Sequence, residues 1–178
     1  TPDSERTMCT FLGIAGKIGE IDVNEQLIEK SDLIFLEGYL WDEGEPKKAF
    51  EKAIKYSNKT AMSLSDLFCV ERHKKSFLIL VKEKLDLTFA NEHEIMSLID
   101  AKNFNEVVSF AKEVKKHIII TRGEKGAISI NGDKIIETKA KKNLTTKDLT
   151  GAGDLFAAGY LHGFINNLPR EKCLEEGV

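Results

Sequence analysis

Residues 148–163 read DLTGAGDLFAAGYLHG, a turn of small residues that runs directly into an apolar helix. The first turn of a helix leaves backbone N–H groups unpaired, and the helix dipole adds partial positive charge there, so this turn predicts an anion site. Gly151, Ala152 and Gly153 are small enough for an anion to reach the backbone. Asp154 follows in the first helical turn, where its carboxylate is expected to accept a proton beside the anion. An ordinary glycine turn before a helix explains the same residues, and the pattern alone does not separate the two interpretations.

Upstream of this stretch, short apolar runs alternate with segments of helical spacing, the pattern of β-α-β units on a largely parallel sheet. The predicted strands are residues 32–37, 60–63, 85–90 and 117–121. The predicted helices are residues 45–57, 71–82, 91–99 and 104–115. In the helix after the glycine turn, small residues predict close packing against a sheet: Ala157, Ala158, Gly159 and Gly163. We therefore expect an α/β fold.

Two segments depart from the alternation. Residues 7–13 (TMCTFLG) alternate polar with apolar side chains, which predicts a strand with one open face. Residues 127–131 and 134–138 predict a hairpin, with Asn-Gly supplying the turn chemistry. The sheet is thus expected to carry an antiparallel edge.

The composition is that of a folded domain and disfavours several classes of protein. Of 178 residues, 42% are hydrophobic, and the net charge of −3 gives no electrostatic footprint for nucleic acid or an anionic membrane. The three cysteines lie far apart and outside any CxxC spacing, so neither a disulfide framework nor a zinc site is indicated, and a reducing cytoplasm fits best. No apolar run is long enough to cross a bilayer. The absence of GxxxxGK[ST] and HExxH motifs argues against a P-loop kinase and a metallohydrolase.

The whole of residues 148–163 resembles the second signature of the ribokinase-like, or PfkB, family of carbohydrate and nucleoside kinases. Further stretches match the same family in order: residues 1–13 (TPDSERTMCTFLG), 36–41 (LEGYLW), 63–66 (SLSD), 91–94 (NEHE) and 121–126 (TRGEKG). The resemblance spans essentially the whole chain and is greatest to bacterial adenosine-kinase-like sugar kinases. It implies a three-layer α-β-α core over residues 14–178, truncated at both ends. Residues 1–13 would be the remnant of a β-lid over the substrate.

The resemblance implies an ATP-dependent transfer of the γ-phosphate to a primary hydroxyl of a sugar or nucleoside. Asp154 matches the family's catalytic base, and Gly151, Ala152 and Gly153 match its anion hole. Such preorganised donors are each worth roughly 3 kcal/mol or more in the barrier.

Two further matches concern the cofactors, ATP and Mg²⁺. Asn91 and Glu94 match the NxxE motif that organises Mg²⁺ through water, and Asn91 would also lie near the nucleotide. A capping box at the start of a helix has the same spacing, so the residues alone leave both interpretations open. A nucleotide-binding turn follows an apolar strand, and its expected contacts are Thr121, Gly123, Lys125 and Gly126. A strand turning into a hairpin explains the glycines as well, and a solvated lysine explains Lys125.

The resemblance also indicates substrate and cation positions. Glu37 aligns with an acidic residue that contacts substrate in the sugar kinases, although a lone glutamate at a strand end is otherwise simply exposed. Arg6, in the lid, would face the site. Asp148 and Thr150 match positions where some members bind a monovalent cation such as K⁺, and Leu149 departs from the commoner threonine between them.

Two classes of function follow. The first is a cytoplasmic kinase of a small-molecule sugar or nucleoside, forming a homodimer through the lid and binding neither nucleic acid nor membrane. The second is a nucleotide-binding module that performs no transfer, because the family's amino-terminal portion has no counterpart before Thr1. A dinucleotide-binding Rossmann enzyme is disfavoured, since its GxGxxG would follow the first strand of a β-α-β unit and this glycine turn lies late in the chain.

Overall fold

The computed structural model describes residues 9–41, 44–142 and 146–178, which form a six-stranded sheet with helices on both faces. The parallel strands are β1 (Ile34–Glu37), β2 (Thr60–Ser63), β3 (Leu87–Asn91) and β4 (His117–Thr121). The antiparallel strands β5 (Ala127–Asn131) and β6 (Lys134–Thr138) continue the sheet beyond β4. The predicted three-layer α/β fold with a largely parallel sheet and an edge hairpin is therefore confirmed.

The strands pair in chain order, and the helices fill the connections and the two faces. They are α1 (Glu25–Glu29), α2 (Glu45–Tyr56), α3 (Leu67–Ile79), α4 (Glu92–Leu98), α5 (Phe104–Val114), α6 (Ala152–Ile165) and α7 (Arg170–Gly177). Short 3₁₀ turns cover Gly13–Lys17, Glu20–Asp22, Gly38–Leu40 and Gly123–Lys125, and a π turn, Leu80–Lys84, extends α3. None of these helices combines the length and the apolarity needed to cross a membrane.

Side-chain alternation along the strands divides the interior into two apolar clusters. Met62, Ile118 and Ile120 point to one face, where they pack among side chains of α2 to α5. Phe89 and Ile119 point to the other face, which α6 and α7 cover. Because both faces are covered, the strands read as continuous apolar runs, which is why they are recognisable in the sequence.

One predicted strand is wrong in its described part, and one predicted helix begins at a different residue, each for an identifiable reason. The predicted strand over residues 7–13 is absent in its described part: residues 9–12 have no regular structure, and Gly13, at φ +59°, begins a 3₁₀ turn. Alternation over so short a run does not select a strand unless another strand pairs with it. Helix α3 begins at Leu67, earlier than predicted, because the Asp66 carboxylate accepts the Cys69 N–H at 2.7 Å and caps it.

Of the four small residues of α6, Ala157 packs against the sheet as expected, Ala158 is exposed, and the two glycines pack elsewhere. The side chains that face the sheet include Phe156 and Tyr160, whereas the close approach of the glycines is to α7. A Cβ on Gly159 would lie 2.3 Å from the Glu176 carbonyl oxygen, and one on Gly163 would lie 3.0 Å from the Cys173 Cα. The glycines therefore let two helices pack together, not a helix against the sheet.

A polar cluster of His117, Ser129 and Tyr160 is buried beneath α6. The Tyr160 hydroxyl lies 2.8 Å from His117 Nε2, Ser129 Oγ lies 2.7 Å from the same nitrogen, and the two hydroxyl oxygens are 3.2 Å apart. Burial lowers the pKa of His117 to about 4, with the charge of Arg170 adding to the effect, and burial raises the pKa of Tyr160 to about 12. All three groups are therefore neutral at pH 7.

This cluster predicts a loss of stability in mild acid. Between pH 6.5 and 4 the unfolded chain protonates His117 while the folded chain does not, so the free energy of unfolding falls as the pH is lowered through this window. The full contribution of the histidine is on the order of 3 kcal/mol. Urea unfolding at several pH values measures it, and His117→Gln, which does not titrate, is expected to give a shallower decline than the unmodified protein. Equal declines would contradict the prediction.

Candidate active site

A cleft of about 570 Å³ opens at the edge of the sheet where β1 to β4 end. Strand ends contribute Glu37, Ser63, Phe89, Ala90, Asn91 and Thr121 to its walls. The turn before α6 closes another side with residues 149–154. Open α/β sheets bind ligands at the carboxyl ends of their strands, so this cleft is the candidate site.

The amino terminus of α6 is open to the cleft. Gly151 stands before the helix in the left-handed region at φ +74°, a conformation that glycine adopts without strain, and no side chain caps the helix. The Ala152 N–H donates a hydrogen bond to the Leu149 carbonyl oxygen at 3.2 Å. A Cβ on Gly153 would contact nothing within 4 Å, so the space beside the first turn is free. The predicted anion site thus has both the backbone donors and the room that it requires.

Asp154 is an exposed residue of the first turn of α6 and lines the cleft. Its Oδ2 lies 3.8 Å from where a Cβ on Gly151 would stand, so the carboxylate bends back over the turn. Glu37 lines the same cleft from the end of β1. Burial raises the pKa of Glu37 and the charge of Asp154 adds to the rise, while a hydrogen bond donated by Ser65 Oγ to Glu37 Oε2, at 2.9 Å, opposes it.

Asn91 and Glu94 form a capping box at the start of α4, and both line the cleft. Asn91 donates its backbone N–H to Glu94 Oε2 at 2.8 Å and its side-chain amide to Oε1 at 2.6 Å, and Asn91 Oδ1 accepts the Glu94 N–H at 2.8 Å. Burial raises the pKa of Glu94, and the charges of Asp66 and Glu37 raise it further. The capping interpretation is thus correct, and it places a rigidly held carboxylate at the cleft.

The cleft is acidic. Three of the lining residues that the structure describes are carboxylates, Glu37, Glu94 and Asp154, and none is lysine or arginine. Lys125 does not line it: the Lys125 Nζ lies 3.2 Å from Glu92 Oε1. Among the described lining residues, an anion would therefore find its donors in backbone N–H groups and uncharged side chains.

Of the predicted nucleotide turn, only Thr121 lines the cleft. Gly123 and Gly126 have positive φ, +55° and +94°. A Cβ on Gly126 would stand 2.0 Å from the Thr138 carbonyl oxygen, so glycine is required there by the packing of the hairpin. The packing of the hairpin therefore explains by itself why residue 126 is glycine.

Of the two residues predicted to bind a monovalent cation, one lines the cleft and the other does not. Thr150 lines the cleft, whereas Asp148 Oδ1 accepts the Thr150 N–H at 2.8 Å and shapes the turn. Arg6 and the predicted lid segment before Cys9 lie outside the described residues.

Ser65 and Tyr39 line the cleft but were not predicted as site residues. Ser65 has φ +71°, unusual for a residue with a side chain, and its Oγ accepts the Tyr39 N–H at 3.2 Å while donating to Glu37. The Tyr39 hydroxyl donates to the Ser65 carbonyl oxygen at 3.3 Å. The SLSD string marks the position of Ser65 in the sequence, but nothing in it reveals the left-handed backbone.

Comparison with known proteins agrees with this architecture. The family description "pfkB family carbohydrate kinase" matches residues 1–178. A nucleoside kinase from Methanocaldococcus jannaschii is 29% identical over 130 residues, covering 73% of this chain and 42% of that protein.

Solved structures give the same result. The adenosine kinase from Sinorhizobium meliloti superposes with a TM-score of 0.87 at 32% identity, over 91% of this chain and 51% of that one. A putative ribokinase II from E. coli, in complex with ATP and Mg²⁺, superposes with a TM-score of 0.80 at 17% identity, over 91% of this chain and 55% of that one. The chain thus spans about half the length of the relatives that it matches. On its match from end to end and its likeness to these kinases, the chain belongs to the pfkB family of carbohydrate kinases.

Proposed function

We propose that the protein transfers the γ-phosphate of ATP to a primary hydroxyl of a sugar or nucleoside. The observation that carries the proposal is the uncapped amino terminus of α6, which opens with Asp154 into a cleft at the carboxyl edge of the sheet. Membership of the kinase family supports it, as does the likeness to proteins named nucleoside kinase and adenosine kinase.

Asp154 acts as the base in this proposal. Its exposed carboxylate takes the proton of the acceptor hydroxyl as that oxygen attacks the γ-phosphorus, the bond from the γ-phosphorus to the bridging oxygen breaks, and ADP leaves. Gly151, Ala152 and Gly153 form the anion hole. Because the Ala152 N–H already donates to Leu149, the N–H groups that follow it in the first turn are the ones expected to stabilise the transferring phosphoryl group.

Asn91 and Glu94 would hold Mg²⁺ through water, and the site fits such an ion. The walls carry carboxylates without a compensating lysine or arginine among the described lining residues, and hard oxygen donors suit Mg²⁺. The capping hydrogen bonds hold the Glu94 carboxylate in one orientation. When bound, the ion would neutralise charge on the phosphates. A K⁺ ion at Asp148 and Thr150 is a further proposal, in which Asp148 Oδ1 keeps its hydrogen bond to the turn.

Glu37 is proposed to contact the acceptor. Its half-buried carboxylate lines the cleft near Asp154, and the Ser65 hydroxyl holds one of its oxygens. A carboxylate in this setting accepts hydrogen bonds from the hydroxyls of a sugar ring, whether free or part of a nucleoside. Arg6 and the lid would complete the acceptor site, and Thr121 would contact the nucleotide.

Two measurements test the proposed function in the whole gene product. Titration with Mg-ATP measures nucleotide binding, and release of ADP with ribose, fructose, adenosine or inosine measures transfer. We expect transfer to at least one of these acceptors, with the phosphorylated product identified by mass. Binding without transfer to any acceptor supports the nucleotide-binding module instead, and absence of both binding and transfer overturns the proposal.

A further inference from the structure

Helix α6 carries the proposed base and the anion hole at its amino terminus, so the placement of the helix decides the placement of both. Its contacts with the sheet include aromatic pairs: Phe89 meets Tyr160 edge to face at 5.6 Å between ring centroids and Phe156 at 6.5 Å. Apolar burial is not directional, so these contacts fix the position of the helix along its own axis less sharply than buried hydrogen bonds do.

The polar cluster of His117, Ser129 and Tyr160 adds directional contacts that restrain the position of the helix along its axis. Tyr160 is fully buried, and its hydroxyl lies 2.8 Å from His117 Nε2 and 3.2 Å from Ser129 Oγ. Hydrogen bonds weaken steeply with distance and angle, and a buried polar group that loses its partner is costly. The helix therefore has one axial position in which this hydroxyl keeps its partners.

The cluster also connects α6 to the wall of the cleft. His117 is the first residue of β4, and Ser129 lies on β5 opposite Ile119 in the antiparallel register. The far end of β4 is Thr121, which lines the cleft. A rigid pair of strands thus runs from the buried hydroxyl to the site.

We propose that the Tyr160 hydroxyl, held by His117 and Ser129, is a positioning group for phosphate transfer that sets where Gly153 and Asp154 stand relative to β4. The inference rests on the proposed function. Tyr160 touches neither phosphate nor acceptor in this role, and it acts through the helix that it anchors.

The expected effect follows from geometry. Asp154 and Tyr160 lie about 9 Å apart along one helix axis, at roughly 1.5 Å per residue, so a shift at the tyrosine reaches the carboxylate undiminished. A displacement of about 1 Å at a reacting group costs up to roughly 100-fold in rate.

Tyr160→Phe removes the hydroxyl and keeps the ring, and Ile130→Val is its matched control. Ile130 is fully buried on the opposite face of the sheet, so this variant loses a comparable roughly 1 kcal/mol of stability without touching α6. In the whole gene product we expect Tyr160→Phe to lower kcat about 10-fold or more, with the KM for ATP and acceptor changed less than about 2-fold. Ser129→Ala is expected to lower kcat by less. A kcat for Tyr160→Phe within 2-fold of the control overturns the proposal.

A second readout separates this inference from the proposed function. In protein labelled with ¹⁵N-glycine, the amide resonances of Gly151 and Gly153 are expected to shift in Tyr160→Phe and to stay in place in Ile130→Val. If the unmodified protein transfers no phosphate, the proposed function fails, and these amides still decide whether the hydroxyl places α6. If these amide resonances do not shift in Tyr160→Phe, the inference is overturned, whatever the activity of the variant. If they shift while kcat is unchanged, the helix is positioned by the hydroxyl but the catalytic part of the inference is overturned.

Discussion

Asp154→Asn is expected to lower kcat for phosphate transfer by about 10²- to 10⁴-fold, because the amide cannot accept the proton of the acceptor hydroxyl. Asp154 is exposed at the start of α6, so the free energy of unfolding should change by less than about 0.5 kcal/mol. ATP should bind equally or more tightly, since the substitution removes a negative charge beside the phosphates. Steady-state kinetics and ATP titration of the whole gene product measure the three effects.

Asp133→Asn is the matched control for this variant, because Asp133 is exposed in the hairpin turn and does not line the cleft. It should leave kcat unchanged. Normal turnover by Asp154→Asn would show that another group takes the proton, and the assignment of the base would be wrong.

Gly126→Ala is expected to cost roughly 3 to 5 kcal/mol of folding free energy, from overpacking together with backbone strain. The added Cβ would stand 2.0 Å from the Thr138 carbonyl oxygen and 2.7 Å from the Ala140 nitrogen, and these are backbone atoms of the neighbouring strand and its continuation. The φ of +94° adds strain for any residue with a side chain. Urea unfolding monitored by circular dichroism measures the loss.

Gly132→Ala separates the two contributions. Gly132 also has positive φ, +58°, but a Cβ there meets nothing within 4 Å, so this variant should lose only about 1 kcal/mol. Equal losses in the two variants would mean that backbone strain alone, and not the close packing of the hairpin, requires glycine at position 126. Because Gly126→Ala is expected to destabilise the fold, reduced ATP binding by this variant indicates a nucleotide contact only when its stability has been measured alongside.

The sheet was the most predictable part of the molecule, because strands buried on both faces are recognisable as apolar runs in the sequence. Residues 117–121 (HIIIT) and the hairpin strands 127–131 and 134–138 have the predicted bounds, because apolar runs and an Asn-Gly turn are local signals. The third strand begins at Leu87 rather than residue 85, since Asp86 turns back to accept the Thr60 N–H at 2.8 Å. That contact joins residues far apart in the chain and leaves no trace in the local pattern.

The site was predictable where one short string contains it. The turn before α6 was found because its residues are contiguous, and the structure places Glu37, Asn91, Glu94 and Thr121 beside it in one cleft. Ser65 was missed because its role depends on Glu37, across 28 positions of sequence. The role of His117 in the buried polar cluster was not predicted for the same reason, since its partner Tyr160 lies 43 positions away.

The strand order has a consequence for how the molecule is made. Each described strand pairs with its neighbour in sequence, from β1 to β6, and α6 and α7 follow these strands in the chain and cover one face of the sheet. A ribosome therefore synthesises Glu37 and Glu94, two of the carboxylates that line the cleft, before it synthesises the glycine turn. Until residues 151–178 emerge, the sheet face of Phe89 and Ile119 lacks the cover that α6 and α7 give it. Residues 151–178 thus both cover one face of the six-stranded sheet and supply the proposed catalytic carboxylate.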